Sequence, residues 1–154
     1  MKVSVLSSGS KGNTTYIETK NAKILIDAGN SSKYILEKLQ ELNVNPNDID
    51  AILITHIHVD HVKGLPVLLK KINPCVYMTE KMHPYLDYIE NYTIIETDTI
   101  TIKDIEVNVI KTSHDTDDSV GYIINNEGKS IVYITDTGYI NRKYFDLLKN
   151  RNIY

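Results

Sequence analysis

The 154-residue chain has a single cysteine, no internal repeat, no long apolar run and no excess of positive charge. Each shortage excludes something. One thiol, Cys75, cannot close an internal disulfide, so the chain is not a disulfide-stapled scaffold, and a thiolate-held metal is excluded with it. Cys75 stands beside Val76 and Tyr77 in a strand-like stretch and is expected to be a buried, inert thiol in a reducing cytosol. The longest hydrophobic stretches fall far short of the roughly 20 residues of a bilayer-crossing helix. The opening Met1-Lys2-Val3-Ser4-Val5-Leu6 is broken by serine before a signal-type apolar core can form, so it reads as a first strand, and the length of 154 residues fits a single domain. With 17 Lys and Arg against 20 Asp and Glu, the net charge is -3 and no basic face for nucleic acid is legible. Lys63, Lys70 and Lys71 read as a solvated helix face, and bound metal ions could supply the positive field that the side chains do not.

What the chain does have is concentrated. Of its five histidines, three fall in the run Thr55-His56-Ile57-His58-Val59-Asp60-His61, directly after the apolar Ala51-Ile52-Leu53-Ile54. Residues two apart on an extended chain point the same way, so His56 and His58 can reach one ion together. Asp60 and His61 follow where the chain turns and are placed to reach a second ion. Imidazole and carboxylate ligands suit zinc, with manganese or iron as the alternatives. A chance, solvated cluster of histidines is the bland alternative, and the aspartate among them weighs against it.

Periodicity gives the surrounding elements. Val3–Leu6, Thr15–Thr19 and Lys23–Asp27 read as strands, and Tyr34, Ile35, Leu36, Leu39 and Leu42 recur at helical spacing behind Ser31-Ser32 as a cap. Ala51–Ile54 is a continuous apolar strand of the kind covered on both faces. A short helix is expected over Leu65–Lys71, a strand over Cys75–Met78, and a helix over Thr79–Glu90 with Thr79 as its cap and His83-Pro84 in its first turns. Strands follow over Ile100–Ile102, Ile105–Ile110, Val120–Ile124 and Ser130–Ile134, the last two joined by a hairpin at Asn125-Asn126-Glu127-Gly128. A final amphipathic helix is expected over Arg142–Lys149. Strands with helices between and around them indicate an α/β architecture.

The pattern H-x-H-x-D-H after a hydrophobic strand resembles that of the metallo-β-lactamase-fold hydrolases. Ile24-Leu25-Ile26-Asp27-Ala28-Gly29 is similar to that family's early strand ending in aspartate, Thr112-Ser113-His114-Asp115 to the segment bearing its next histidine, and Tyr133-Ile134-Thr135-Asp136-Thr137-Gly138 to the strand whose aspartate bridges both metals. The opening Leu6-Ser7-Ser8-Gly9-Ser10-Lys11-Gly12-Asn13, together with Val120-Gly121-Tyr122, is similar to the YycJ/WalJ branch, bacterial cytoplasmic proteins regarded as DNA-directed phosphodiesterases of the exonuclease type. The resemblance covers nearly the whole chain.

It implies a four-layer αββα sandwich, and two Zn²⁺ ions about 3.5–4 Å apart. His56, His58 and His114 would hold one ion and Asp60, His61 and Asp136 the other, with Asp136 bridging. It also implies hydrolysis of a phosphodiester, DNA foremost, by a hydroxide shared between the metals, with Asp60 orienting it. Asp27 and Thr55 are expected behind the ligands, fixing histidine tautomers; for Asp27 the alternative is a turn-forming residue before Ala28-Gly29. His83 reads as a surface or cap residue, and Asp115, Asp117 and Asp118 as a solvated turn. Ser8, Gly9, Ser10 and Asn13 are candidates for meeting a phosphate, weighed evenly against an ordinary turn.

Members of the branch continue well beyond the point where this sequence stops, and they carry a further histidine that completes the second metal site. No histidine follows His114 here. The expectation is therefore an incomplete second half, a weakened second metal site and a second sheet left with an exposed apolar face. A homo-oligomer or a complementary chain could cover that face. Two other functions stay open: a hydrolase of a thioester or lactam, and a catalytically impaired metal-binding fragment.

Overall fold

A computed structural model describes residues 1–112 and 119–134 together with the two-residue strand Asn152–Ile153. Two sheets face each other. The first has six strands in spatial order β1 (Lys2–Ser7), β2 (Thr14–Glu18), β3 (Lys23–Ile26), β4 (Ala51–Leu53), β5 (Cys75–Met78) and β6 (Tyr92–Ile94). Its first three strands pair antiparallel, as hairpin-length connections allow, and β3 to β6 run parallel. The second sheet has the order β11 (Asn152–Ile153), β10 (Lys129–Tyr133), β9 (Val120–Asn126), β8 (Ile105–Lys111), β7 (Thr99–Ile102).

Parallel strands need crossovers, and the helices provide them. α1 (Ser32–Glu41) links β3 to β4, with the Ser31 hydroxyl accepting from Tyr34 N–H as its cap; α2 (Val59–Val62) and α3 (Leu65–Leu68) link β4 to β5. Right-handed crossovers that advance in one direction put these helices on the same face, where α1 meets α3. Ile35 and Leu39 of α1, Ile24–Ile26 of β3, the wholly apolar β4, and Ile105, Val107, Val109, Tyr122 and Ile124 of the second sheet belong to one contiguous core. The described residues thus supply helix, sheet and sheet; the helix expected over Arg142–Lys149, which would make the fourth layer, lies outside them.

Several expectations are corrected. No α-helix forms over Thr79–Glu90: a 3₁₀ turn at His83–Tyr85 stands in its place. Pro84 has no N–H to donate and its ring opposes a helix begun at Thr79, whose hydroxyl is buried with no hydrogen-bond partner instead of capping. The apolar positions that suggested the helix, Met82, Leu86 and Ile89, are buried all the same. Cys75 is half-buried, not buried, because it lies on the outward side of β5, where its Sγ is 3.2 Å from Thr93 Oγ1. The hairpin between β9 and β10 is tighter than the sequence suggests: only Glu127 and Gly128 are unpaired, at φ 48° and 78°, the mirror-image turn that suits strand twist. The second sheet's outer face is also not laid open, since Ile110, Ile123 and Val132 on it are buried to 0% exposure.

Candidate metal centre

The parallel strands β3 and β4 end side by side, and their continuations build the site. Beyond β4, the main chain is held from the second sheet: the Tyr122 hydroxyl donates to Ile54 O at 2.5 Å and Val120 N–H donates to Thr55 O at 2.9 Å. Beyond β3, Asp27 adopts φ +63°, a left-handed conformation that few side chains accept but aspartate tolerates. Its N–H donates to Leu53 O at 2.8 Å, so the strained residue is locked by the neighbouring strand.

The Asp27 carboxylate is buried at 0% exposure beneath the histidines. It accepts from Thr55 N–H at 2.8 Å and from the Thr55 hydroxyl at 2.6 Å, and lies 2.6 Å from His61 Nδ1. Burial pushes this carboxyl above its ordinary range, and the His61 ring and the two Thr55 donors pull against that. Hydrogen bonding then dictates tautomers. Thr55 gives its one hydroxyl hydrogen to Asp27, so its 3.0 Å contact with His56 Nδ1 is one in which the ring donates. His61 donates its own Nδ1–H to Asp27. In both rings the lone pair consequently sits on Nε2, the form in which imidazole binds a metal.

His58 caps α2 with extended φ and ψ of -60° and 150°, and Asp60 and His61 follow in the helix's only turn. One ligand atom from each of His56, His58 and Asp60 lies within 4.8 Å of the others, a grouping that could hold a metal ion. The His56 and His58 rings meet edge to face with centroids 5.1 Å apart, the His56 and His61 rings at 3.7 Å. Asp60 Oδ2 is 3.6 Å from His61 Nε2, so the carboxylate lies within reach of His61 as well as of the His56–His58 pair. Two imidazoles of fixed tautomer, a third beside them and a half-buried carboxylate are a donor set that fits a divalent ion of zinc's preferences.

A family model described as the metallo-β-lactamase superfamily matches residues 8–150. The chain belongs to the metallo-β-lactamase superfamily. Within it, the chain is 38% identical to exodeoxyribonuclease WalJ of Streptococcus pneumoniae, over 99% of this chain and 60% of that protein. To exodeoxyribonuclease YycJ of Bacillus anthracis it is 35% identical, over 98% of this chain and 60% of that protein. The chain therefore spans about three fifths of the length of these relatives. Among solved structures, the metallo-β-lactamase-fold protein YhfI from Bacillus subtilis superposes with a TM-score of 0.79 at 16% identity, covering 97% of this chain and 67% of that one.

Of the residues singled out in the sequence, His56, His58, Asp60, His61, Asp27 and Thr55 come together in this superfamily centre. His114 and Asp136, the two distant ligands, and the acidic residues Asp115, Asp117 and Asp118 lie outside the described residues. Ser8, Gly9 and Ser10 form an exposed turn between β1 and β2, whereas Asn13 turns inward toward Asp60. His83 is away from the centre, its ring 4.6 Å from that of Tyr92. No helix among the described residues is long and apolar enough to cross a membrane.

Two residues that sequence reasoning passed over are needed for this geometry. A Cβ at Gly29 would lie 1.7 Å from Asp60 O and 2.6 Å from Asn13 N, and one at Gly64 would lie 2.2 Å from Asn30 O. These glycines let three backbones meet: Asn13 N–H and Ala28 N–H donate to Asp60 O and His61 O at 2.8 and 2.9 Å, and Gly64 N–H donates to Ala28 O at 2.8 Å. The Ala28-Gly29 pair after a strand-terminal aspartate was the available signal.

Proposed function

We propose that this chain carries the metal centre of a zinc-dependent phosphodiesterase that acts on DNA, and that it works in the cytoplasm. The reading is carried by one observation: His56, His58 and Asp60 converge to within 4.8 Å, above a buried aspartate that sets the histidine tautomers. The exodeoxyribonuclease relatives, at 35–38% identity over nearly the whole chain, support the substrate class.

In this reading His56 and His58, joined by His114, would hold one zinc; Asp60 and His61, joined by Asp136, would hold the second. Bound there, the metals supply Lewis acidity, lowering the pKa of a water toward neutrality and offsetting negative charge on a phosphate. The chain's own groups do the rest. Asp27 and Thr55 keep the lone pairs of His61 and His56 on Nε2, and Asp60, a ligand that is also an acceptor, would orient the attacking water by taking a hydrogen bond from it. In the exposed turn Ser8-Gly9-Ser10 the N–H groups of Ser8 and Ser10 are where a phosphate can be met, Gly9 N–H being held by Asn13 Oδ1.

The test is metal analysis of the purified chain beside nucleotide release from linear DNA, repeated with His58→Ala and with thioester and lactam substrates. Two zinc ions per chain, DNA hydrolysis, and its loss in His58→Ala are the expected outcome. Turnover of a thioester or lactam with DNA left intact would contradict the phosphodiesterase assignment. One metal or none, with no turnover, would contradict the enzyme.

A further inference from the structure

We infer that Asn13 is a positioning residue of the metal centre: its side-chain amide orients the Asp60 carboxylate and ties it to the exposed turn at Ser8–Lys11, and it does not serve as a substrate contact. The inference rests on the reading above in which Asp60 and His61 ligate a second metal.

The geometry is specific to asparagine. Asn13 Nδ2 lies 3.2 Å from Asp60 Oδ2, 3.2 Å from Asp60 O, 3.2 Å from His61 Nε2 and 3.0 Å from Gly9 O. Its Oδ1 accepts from Gly9 N–H at 3.1 Å. The amide thus pairs with Gly9 as a peptide group would, donating and accepting, while its nitrogen faces the carboxylate. Aspartate would lose the donor and serine is too short to bridge both sides. The main chain fixes the residue as well: Asn13 N–H donates to Asp60 O at 2.8 Å and Asn13 O accepts from Gly29 N–H at 3.0 Å. With its backbone pinned on both sides, the side chain has one productive direction.

What this does for Asp60 follows from charge. The Asp60 side chain is 24% exposed and would otherwise sample several orientations at the rim. A neutral donor on Oδ2 restricts it without neutralising it, as a lysine or arginine would, so the carboxylate keeps its full charge for a cation. The amide has two hydrogens and four acceptors in range. A metal can therefore take His61 Nε2 while the amide keeps Asp60 and Gly9, and the anchorage survives loading. Because the same amide holds Gly9, the position of the exposed turn is set by the group that positions the carboxylate.

The experiment is a cobalt(II) titration of the full chain as wild type, Asn13→Ala and Asn13→Ser, followed by absorption spectra, zinc competition against a chelator and melting of the metal-free proteins. The wild type should take up two equivalents. Both variants should keep the affinity of the first, weaken the second about ten- to hundredfold, change its visible spectrum and melt near wild type when metal-free. Unchanged affinity and spectrum for both equivalents would overturn the inference. So would equal weakening of both in step with a lower melting temperature, which marks a purely structural role. Fewer than two equivalents in the wild type would instead show failure of the two-metal reading before any substitution is considered.

Discussion

Asp27 receives Thr55 N–H, the Thr55 hydroxyl and His61 Nδ1–H within 2.6–2.8 Å while holding φ +63°. Asp27→Asn keeps the volume and removes the charge, so His61 loses its fixed tautomer; zinc affinity should fall about ten- to hundredfold, read by chelator competition. Unchanged affinity would mean the ring is oriented by something else. Gly29→Ala acts differently, since a methyl group 1.7 Å from Asp60 O forces backbone apart. It should cost at least about 3 kcal/mol in urea unfolding, the upper part of the overpacking range. At this scale the ligand cluster was legible because its members are adjacent in sequence and their chemistry is distinctive. The orientation of Asn13 was not, because it depends on a contact 47 residues away with Asp60.

Among the elements, β3, β4 and α1 were legible for a physical reason: the continuous apolar runs Ile24–Ile26 and Ala51–Leu53 and an apolar stripe behind a serine cap have few other ways to bury themselves. The segment 79–90 shows the limit of that logic. Met82, Leu86 and Ile89 have helical spacing and are buried, yet Pro84 removes the hydrogen bond that a helix would need there. The half-exposed Cys75 is a register effect, set by which face of β5 it occupies. One prediction belongs here. Tyr122, on β9, reaches across the core to Ile54 O at the exit of β4. Tyr122→Phe should lower stability by about 1–2 kcal/mol, the scale of a buried hydrogen bond, and should also weaken metal binding because the strand end carrying His56 loses its strut. Equal unfolding midpoints for wild type and variant would refute the strut.

Across the whole molecule the two sheets are joined near both ends of the core. Next to the metal centre the joint is Tyr122 and Val120 against Ile54 and Thr55; at the other it is Asp104, after β7, which accepts from the Thr19 hydroxyl at 2.5 Å and from Asn21 N–H at 3.3 Å between β2 and β3. The Thr19 hydrogen bond, with Asn21 N–H assisting, holds the Asp104 carboxyl below its ordinary range. A depressed carboxyl contributes stability above its unfolded pKa and loses it as pH falls through the folded one. The melting temperature should therefore drop through the acid range below the ordinary carboxylate value, and Asp104→Asn should flatten that part of the profile. An acid limb identical to wild type would exclude this joint. The account as a whole depends on metals gathering at residues 56–61 above Asp27 and Thr55, which diffraction from zinc-loaded crystals at the zinc absorption edge reads directly. Two anomalous peaks are predicted, one against His56 and His58 and one against Asp60 and His61; peaks elsewhere on the surface, or none, would contradict it.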